Sequence, residues 1–464
     1  MFNKNFVFVL FSIIAPGFFL TAGAQVLTLK DAVQTAVNNY GTVKAKSNYV
    51  KASNALVKEA VNEQLPDLNL SAQQDYGTVN GQNGVVYGYK GLSSAASGPV
   101  MSTWNSAFGS LYLANINWDF YSFGKAREKV KVSASQLSLD KSDLEQEKFQ
   151  LQVRVASAYL NLLAAQRLTK SAQDNLDRTN ALRNVVVPRV INGLNAGVDS
   201  SLANAEVSNA KIALLRAKDY EQEQANQLAI LMNVQKQDFA LDTLFVTRIP
   251  ASSQDTGLGN LQNHPVLQYY QNRINLSDEK AKYTHTFLYP TFSAFALGQG
   301  RGSGFKNNYS AANPNAYSGG YWDGVNPTVG NYLVGVGVIW NLTSPFRVQQ
   351  QVTAQKFTSR GLKDEYDLVD EQLRNQYTLA ESKMRNALAE FAEAPVQVKS
   401  ATDAYNQKSV LYKNGLSNIV DVTQTLYTLN LAETDKDISE NNVWAALLLK
   451  AAAAGDFGIF INEF

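Results

Sequence analysis

Apolar and polar residues alternate in four short segments of the chain, two in each half. In the first segment, Leu68, Leu70 and Ala72 take every second position between polar side chains. A period of two predicts a β-strand with one apolar face. Strands are predicted near 66–76, 110–122, 290–298 and 331–343. An apolar face opposite a polar one is typical of a transmembrane β-barrel strand, and equally of a half-buried strand in an antiparallel sandwich.

Aromatic residues stand on the apolar faces of the second and fourth predicted strands. Tyr112 and Trp118 share a face in the second strand, and Tyr332 and Trp340 share one in the fourth. Tyrosine and tryptophan are enriched where a membrane meets water. We therefore predict that these four side chains anchor the strands at the membrane interfaces, with ordinary packing as the alternative interpretation.

Long helical patterns follow the strands in both halves. The first begins after Gly124 and runs to about Val190, a rod on the order of 100 Å at about 1.5 Å per residue. Leu137, Leu144 and Leu151 recur at every seventh position among many Ala, Ser and Gln residues. This pattern predicts a narrow coiled-coil contact in which small residues allow the helices to approach closely.

A short motif occurs twice, each time between two helical segments. Its copies are Asn192-Gly193-Leu194-x-x-x-Val198-Asp199 and Asn414-Gly415-Leu416-x-x-x-Val420-Asp421, which begin 222 positions apart. Glycine can adopt the left-handed conformation that ends a helix, and aspartate can cap the first amides of the next one. Each copy is therefore predicted to be the turn of a helical hairpin.

The chain is predicted to contain two structural repeats, because other landmarks recur at nearly the same offset. Trp118 and Trp340, for example, are also 222 positions apart. The first repeat takes residues 25–245, and residues 246–464 hold a linker, or equatorial segment, and the second repeat. Each repeat supplies two strands, and four strands are too few to close a barrel. Since an open edge in a bilayer leaves backbone groups unpaired, we predict a trimer that pools twelve strands.

Residues 1–24 have the pattern of a secretory signal peptide. Lys4 precedes an apolar run, and Ala22-Gly23-Ala24 matches a small-residue cleavage site. Lys4 is the only charged residue in this segment, so its removal leaves equal numbers of basic and acidic residues. Nucleic-acid binding through a basic face is therefore not predicted.

The sequence is poor in residues that carry catalysis or bind metals. It has no cysteine, and its two histidines, His264 and His285, lack the four-residue spacing of a helical zinc pair. The Ser277-x-x-Lys280 spacing arises by chance on a helix surface, and three alternating glycines from Gly298 lie between strands rather than before a helix. We predict no enzyme activity, no cofactor and no metal site.

Two stretches of the mature chain resemble the outer-membrane efflux protein family, of which TolC is the best-known member. They are Leu27-Thr28-Leu29-x-Asp31-Ala32-Val33-x-x-Ala36-x-Asn38-Asn39 and Tyr412-x-x-Gly415-x-x-x-x-Val420-Asp421-Val422-x-x-x-Leu426-Tyr427. The duplicated order of helix, strand, strand and long helical hairpin resembles the family along nearly the whole chain. The resemblance implies a mainly α, TolC-like fold with a β-barrel part, in which a trimer forms a 12-stranded outer-membrane barrel on a periplasmic α-helical barrel.

The resemblance also implies a function and partners. The chain is expected to be an outer-membrane exit duct of a Gram-negative bacterium, for efflux or type I secretion. Its expected partners are a periplasmic adaptor (membrane fusion) protein, an inner-membrane transporter of RND, ABC or MFS type, and outer-membrane lipid. The implied adaptor-docking tips are Asn192, Gly193, Leu194, Asp199, Asn414, Gly415 and Leu416. Turn and capping chemistry is the alternative role of these residues.

Asp421 matches an aspartate that forms a constricting ring in some members of this family. Three copies around an axis would bring carboxylates together and favour cations. Those members have a second aspartate three positions further on, where this chain has Gln424. We predict that Asp421 and Gln424 form the pore constriction, and a plain helix N-cap is the alternative for Asp421.

A periplasmic coiled-coil scaffold or adaptor without a pore is the main alternative function. Adaptors have a single helical hairpin, whereas this chain has two hairpins and paired amphipathic strands. A secreted enzyme is the third interpretation, and the sequence offers no polar constellation for one.

Overall fold

The computed structural model describes residues 26–80, 102–243, 245–251 and 261–464. The predicted signal peptide at 1–24 lies outside the described residues, as do parts of the first strand connection and of the linker. The described helices are α1 (Leu29–Asn39), α2 (Gly41–Asn62), α3 (Lys125–Ile191), α4 (Gly197–Met232), α5 (Pro265–His285), α6 (Tyr321–Val325), α7 (Ser344–Lys413), α8 (Ile419–Ala454) and α9 (Gly458–Ile461). The described strands are β1 (Asp67–Gly77), β2 (Ala107–Tyr121), β3 (Thr291–Ser303) and β4 (Val329–Ile339). In this part of the chain, no helix combines the length and the apolar character needed to cross a bilayer.

The described residues form two compact units, and each unit takes segments from both halves of the sequence. The helical unit contains the residues up to Lys44, Glu147–His264 and Gln372–Phe464. The sheet unit contains Ala45–Gln146 and Pro265–Glu371. Compactness therefore divides the chain differently from the sequence repeats, since each unit combines corresponding parts of both.

The sheet unit contains one antiparallel sheet in the order β1-β2-β3-β4, as the mainly α fold with four strands predicts. Leu70 pairs with Ala114, Ala114 with Gly298, and Gly298 with Tyr332, so these residues share one face. This apolar face carries Leu68, Leu70, Ala72, Tyr112, Ala114, Ile116, Trp118, Ala294, Ala296, Tyr332, Val334, Val336 and Val338. The opposite, polar face carries Asp67, Asn69, Gln73, Asn115, Asn117, Gln299, Arg301 and Asn331.

The irregular pattern of β3 has a packing reason. Phe292 pairs with Val338 on the apolar face, whereas Phe295 pairs with Gly335 on the polar face. A Cβ atom added to Gly335 would lie 2.6 Å from the Phe295 ring, so the ring occupies the space that this glycine leaves open. An aromatic residue therefore stands on the polar face because a glycine on the neighbouring strand accommodates it.

The largest differences from the predicted segments are at the ends of β3 and β4. β3 continues to Ser303, where the sequence pattern predicts a strand near 290–298. Gly300 and Gly302, which the sequence assigns to a loop, pair with Tyr112 and Ser110 in the ladder. β4 ends at Ile339, before the predicted segment near 331–343 is complete.

The helical unit packs its long helices in the order α4-α3-α8-α7. Buried apolar side chains of α3 and α4 form one cluster, and those of α7 and α8 form another. Between α3 and α8, Arg178 donates two hydrogen bonds, of 2.7 and 2.8 Å, to the Glu433 carboxylate. Such a bidentate pair fixes the register of the two helices.

Small buried residues recur at every seventh position on these helices. They are Ala158, Ala165 and Ala172 on α3, Ala203, Ala210 and Ala217 on α4, Ala380, Ala387, Ala394 and Ala401 on α7, and Ala432, Ser439, Ala446 and Ala453 on α8. A strict seven-residue repeat favours left-handed supercoiling with close approach of the helix axes. Of the leucines that predict this contact, Leu151 is fully buried, while Leu137 and Leu144 are half-buried.

Candidate functional site

Each copy of the Asn-Gly-Leu motif forms the turn at the end of a helical hairpin, as predicted. Gly193 has φ 71° and Gly415 has φ 76°, a left-handed conformation that glycine adopts without steric cost. The amide of Leu194 donates to the carbonyl of Arg189 at 2.8 Å, and that of Leu416 donates to Leu411 at 2.9 Å. These bonds satisfy carbonyls at the helix ends in a Schellman arrangement. We call the two turns the first tip (192–196) and the second tip (414–418).

The predicted helix caps at the tips are wrong. The N-cap of α4 is Ala196, which has no side-chain capping bond, and the N-cap of α8 is Asn418. The Asn418 side chain accepts a hydrogen bond from the amide of Asp421 at 2.9 Å. Asp199 and Asp421 instead lie in the first turns of their helices. A carboxylate at that position still interacts favourably with the helix dipole.

Arg189 connects the two tips. Its guanidinium NH1 donates to the backbone carbonyl of Lys413, the last residue of α7, at 2.7 Å. Its Nε donates to Asn195 Oδ1 in the first tip at 3.0 Å. The guanidinium also lies 5.7 Å from the centre of the Tyr412 ring, within the range of a cation–π contact. One side chain of the first hairpin thus binds the helix end of the second.

Asn195 extends this connection. Its Nδ2 donates to Asp199 Oδ2 at 2.8 Å and to the Tyr412 hydroxyl at 3.2 Å. Tyr412 itself is buried to 2% exposure. We call Arg189, Asn195, Asp199, Tyr412 and the Lys413 carbonyl the tip network.

An apolar cluster lies beside the tip network and includes residues of both hairpins. It is formed by Leu182, Val186, Ala203, Tyr412, Ile419 and Val422. The sequence shows only that Arg189 has no basic counterpart, since Leu411 stands at the matching position. The contact between positions 189 and 413 leaves no sequence signal, because the two residues lie in different repeats.

Asp421 has partners within its own chain. Its Oδ2 accepts a hydrogen bond from Lys408 Nζ at 2.9 Å and another from Ser417 Oγ at 3.1 Å. The Lys408 ammonium, and then the Ser417 hydroxyl, hold the pKa of this carboxyl below its usual range. Asp421 is therefore a carboxylate at neutral pH, paired with a cation. Gln424, one turn further along α8, is exposed.

Large apolar side chains are exposed around both tips. Leu194 is 68% exposed and Leu416 is 75% exposed, at equivalent positions of the motif. Val198 and Val420 are equivalent in the same way and are also exposed. Adjacent exposed apolar side chains are typical of a surface that binds another protein.

The two predicted interface aromatics of the second repeat are well separated along the chain. Eight residues separate Tyr332 from Trp340, which is roughly 26 Å at about 3.3 Å per residue. At a strand tilt of roughly 35–45°, this length spans roughly 20 Å along the membrane normal, which fits within the apolar band of an outer-membrane barrel, about 25 Å tall. Tyr332 is 86% exposed. This spacing supports the predicted anchoring role.

The two tryptophans also make equivalent hydrogen bonds in the two repeats. Trp118 Nε1 donates to the carbonyl of Gln64 at 3.0 Å, and Trp340 Nε1 donates to that of Leu288 at 3.1 Å. Both carbonyls lie two residues before a proline, at the corner where a strand begins. Each tryptophan therefore stabilises a corner of the sheet unit, in addition to any contact with lipid.

The described side chains were compared with the arrangements that bind metal ions. In residues 26–80, 102–243, 245–251 and 261–464, no group of three or more His, Asp or Glu side chains is arranged to hold a metal ion.

A family model matches part of the chain. The sequence model for "Outer membrane efflux protein" matches residues 32–234. No curated protein sequence matches the chain. The family match runs from within α1 to just past the end of α4 and includes β1 and β2, so it covers most of the first predicted repeat.

Solved structures match nearly the whole chain. The outer-membrane channel OprN is 17% identical with a TM-score of 0.73, and the match covers 92% of this chain and 89% of OprN. The outer membrane protein VceC of Vibrio cholerae is 16% identical with a TM-score of 0.74, covering 92% and 96%. The MtrE outer membrane channel of Neisseria gonorrhoeae is 13% identical with a TM-score of 0.69, covering 92% and 89%. At such identities, these matches show a shared fold.

The proteins of this family are channels rather than enzymes, and their helices extend from the outer membrane into the periplasm. The predicted TolC-like fold is confirmed by the solved structures. The family model for outer membrane efflux proteins thus matches residues 32–234 of this chain, and structures of outer-membrane channels share its fold along 92% of its length.

Proposed function

We propose that three copies of this chain close one barrel and form the exit duct of an exporter that spans the periplasm. The sheet carries the argument for assembly. β1 and β4 are its two edge strands, and each edge presents backbone groups that lipid cannot satisfy. Pairing β4 of one copy with β1 of the next removes all edges when three copies join, and gives twelve strands.

The tips are the proposed docking surface for a periplasmic adaptor. The supporting observation is that the two turns have the same backbone conformation and expose the same residue, Leu194 or Leu416. An adaptor with a repeated binding element can therefore contact both turns in a similar way. The inner-membrane transporter, of RND, ABC or MFS type, supplies the substrate and sets whether the duct serves efflux or type I secretion.

Photo-crosslinking in living cells tests the docking surface. A crosslinking amino acid at Leu416 is expected to capture a periplasmic adaptor, because this side chain is exposed at the tip. The matched control is the same amino acid at Asn331 on the polar face of the sheet, which is expected to capture no adaptor. Capture at Asn331 and not at Leu416 would contradict docking at the tips.

Asp421 is the proposed constriction residue, acting together with Lys408. A carboxylate paired with an ammonium has no net charge, so a ring of three such pairs attracts cations less than three free carboxylates. We expect Lys408→Met to increase block of the channel by divalent cations, since it leaves the carboxylate unpaired. Asp421→Asn is expected to abolish that block.

Single-channel recording in planar bilayers measures both variants. Gln424→Ala, one turn along α8, tests whether this second predicted position contributes to the constriction. If neither Lys408→Met nor Asp421→Asn changes cation block, Asp421 does not line the narrowest part of the pore.

A further inference from the structure

The connection between β3 and β4 is folded rather than extended into solvent. Residues 304–328, which we call the collar, contain α6 and an aromatic cluster of their own. The Phe305 ring lies 4.8 Å from that of Tyr309 and 5.9 Å from that of Tyr317. Tyr309 is buried to 7% exposure. The collar therefore has a defined position on the sheet unit.

The collar packs against the apolar face of the sheet. Ser110 Oγ donates to the carbonyl of Val325 at 2.9 Å, and the Tyr112 hydroxyl lies 3.4 Å from the same oxygen. Ser110 and Tyr112 are two residues apart on β2, so they point to the same side as Ala114 and Ile116. That side is the apolar face.

Glycine makes this close packing possible. A Cβ atom added to Gly302 would lie 2.5 Å from the carbonyl oxygens of Asn326 and Gly324. A Cβ atom at Gly300 would lie 3.2 Å from the Pro327 side chain. Side chains at these two positions of β3 would push the collar off the face. The strand is therefore glycine-rich where the collar crosses it.

A row of aromatic rings continues from the strands into α6. The Phe108 ring lies 4.7 Å from Tyr76 and 5.2 Å from Tyr321, and Tyr321 lies 5.0 Å from Trp322. The Tyr321 hydroxyl donates to Gln74 Oε1 at 2.9 Å, which fixes the helix to β1. Trp322, at the end of the row, is 68% exposed.

The level of this row matches a membrane interface. Ten residues separate Phe108, in this row, from Trp118, which is roughly 33 Å along a strand at about 3.3 Å per residue. At a strand tilt of roughly 35–45°, this length spans roughly 25 Å along the membrane normal, which is the height of the apolar band. The collar therefore lies at the end of the band opposite the two tryptophan corners. Its only charged residues are Lys306 and Asp323. An aromatic-rich segment without net charge suits the layer where acyl chains meet headgroups.

We propose that the collar is a membrane-binding element: α6 lies against the outer leaflet, with Tyr321 and Trp322 among the lipid headgroups. This inference rests on the proposed function, because it requires the apolar face to contact lipid. The partner of the collar is lipid, the same lipid that contacts the neighbouring apolar face of the sheet. The collar thus widens the barrel's contact with the membrane and does not cover the mouth of the pore.

The chain has no cysteine, so single cysteines can report the position of the collar. Three variants, Trp322→Cys, Val334→Cys and Asn331→Cys, are labelled with an environment-sensitive fluorophore and reconstituted in phosphatidylcholine vesicles. Val334 lies on the apolar face and Asn331 on the polar face. The vesicles contain lipids with a nitroxide either on the headgroup or in the middle of the acyl chain.

The label at position 322 is expected to lose emission about two-fold with headgroup nitroxides and much less with mid-chain nitroxides, as for a residue in the interfacial layer. The label at 334 is expected to show the reverse order, and the label at 331 is expected to respond to neither. Channel conductance is expected to remain unchanged when position 322 carries the label.

The outcomes separate the inference from the proposed function. If the label at 334 is not quenched by mid-chain nitroxides, the apolar face is not in the bilayer, and both the proposed barrel and the collar inference fail. If the label at 334 is quenched and the label at 322 is not, only the collar inference is overturned. A fall in conductance on labelling position 322 would also overturn it, since it would place Trp322 over the pore.

Discussion

Replacing Arg189 with methionine is expected to open the channel at its tips. The variant keeps the aliphatic part of the side chain but loses the bond to the Lys413 carbonyl, which is 2.7 Å long, and the bond to Asn195, which is 3.0 Å long. Hydrogen bonds from a cation are strong, but solvent weakens them where the site is partly exposed. Losing them is therefore expected to destabilise the contact between the hairpins by about 1–2 kcal/mol. The fraction of channels with separated hairpins is expected to rise roughly 5- to 30-fold.

Single-channel conductance and the uptake of a large antibiotic by cells measure this opening. Arg183→Met is the matched control, because Arg183 donates to Asn204 at 2.8 Å within the first hairpin and does not join the two tips. The control is expected to leave conductance unchanged. Equal conductance in the Arg189 and Arg183 variants would show that the tip network does not hold the hairpins together.

Replacing Val336 with arginine is expected to prevent assembly of the channel in the membrane. Val336 lies on the apolar face, four residues from both Tyr332 and Trp340, so it stands at the middle of the apolar band. A charged side chain on the lipid face at that depth costs about 2–4 kcal/mol. Such a cost lowers the equilibrium yield of folded protein roughly 30- to 1000-fold.

Heat-modifiable migration of outer-membrane fractions measures the yield of the assembled form. Leu333→Arg is the matched control, because Leu333 is an exposed apolar residue on the same strand whose side chain lies on the opposite face. This control is expected to assemble and to change ion selectivity instead. A larger loss of assembly for Leu333→Arg than for Val336→Arg would reverse our assignment of the lipid and water faces.

The elements that local pattern controls are predictable from the sequence. Alternation of apolar and polar residues locates the four strands, because each strand has one apolar face and one polar face. Gly193 and Gly415 locate the hairpin turns, because few other residues adopt a positive φ there. The start of α1 is also controlled locally, since the Thr28 side chain accepts a hydrogen bond from the Asp31 amide at 3.1 Å.

The features that depend on distant parts of the chain are not predictable in this way. The position of the cap at the second tip depends on where the backbone turns, and Asn418 with ψ 166° takes the role that the sequence assigns to Asp421. The bond from Arg189 to Lys413 joins residues 224 positions apart. The packing of the collar is not predictable for a similar reason. In the sequence, Gly300 and Gly302 look like loop glycines, and only the structure shows that Asn326 and Pro327 pack against them.

The arginine at the first tip has a consequence for stoichiometry. In the proposed trimer, six tips form a ring in which a turn next to Arg189 alternates with a turn next to Leu411. The ring therefore has three-fold rather than six-fold symmetry, although the backbones of its turns are alike. A partner with six identical binding elements must bind both kinds of tip, the one next to Arg189 and the one next to Leu411. A partner present in three copies can bind only one kind.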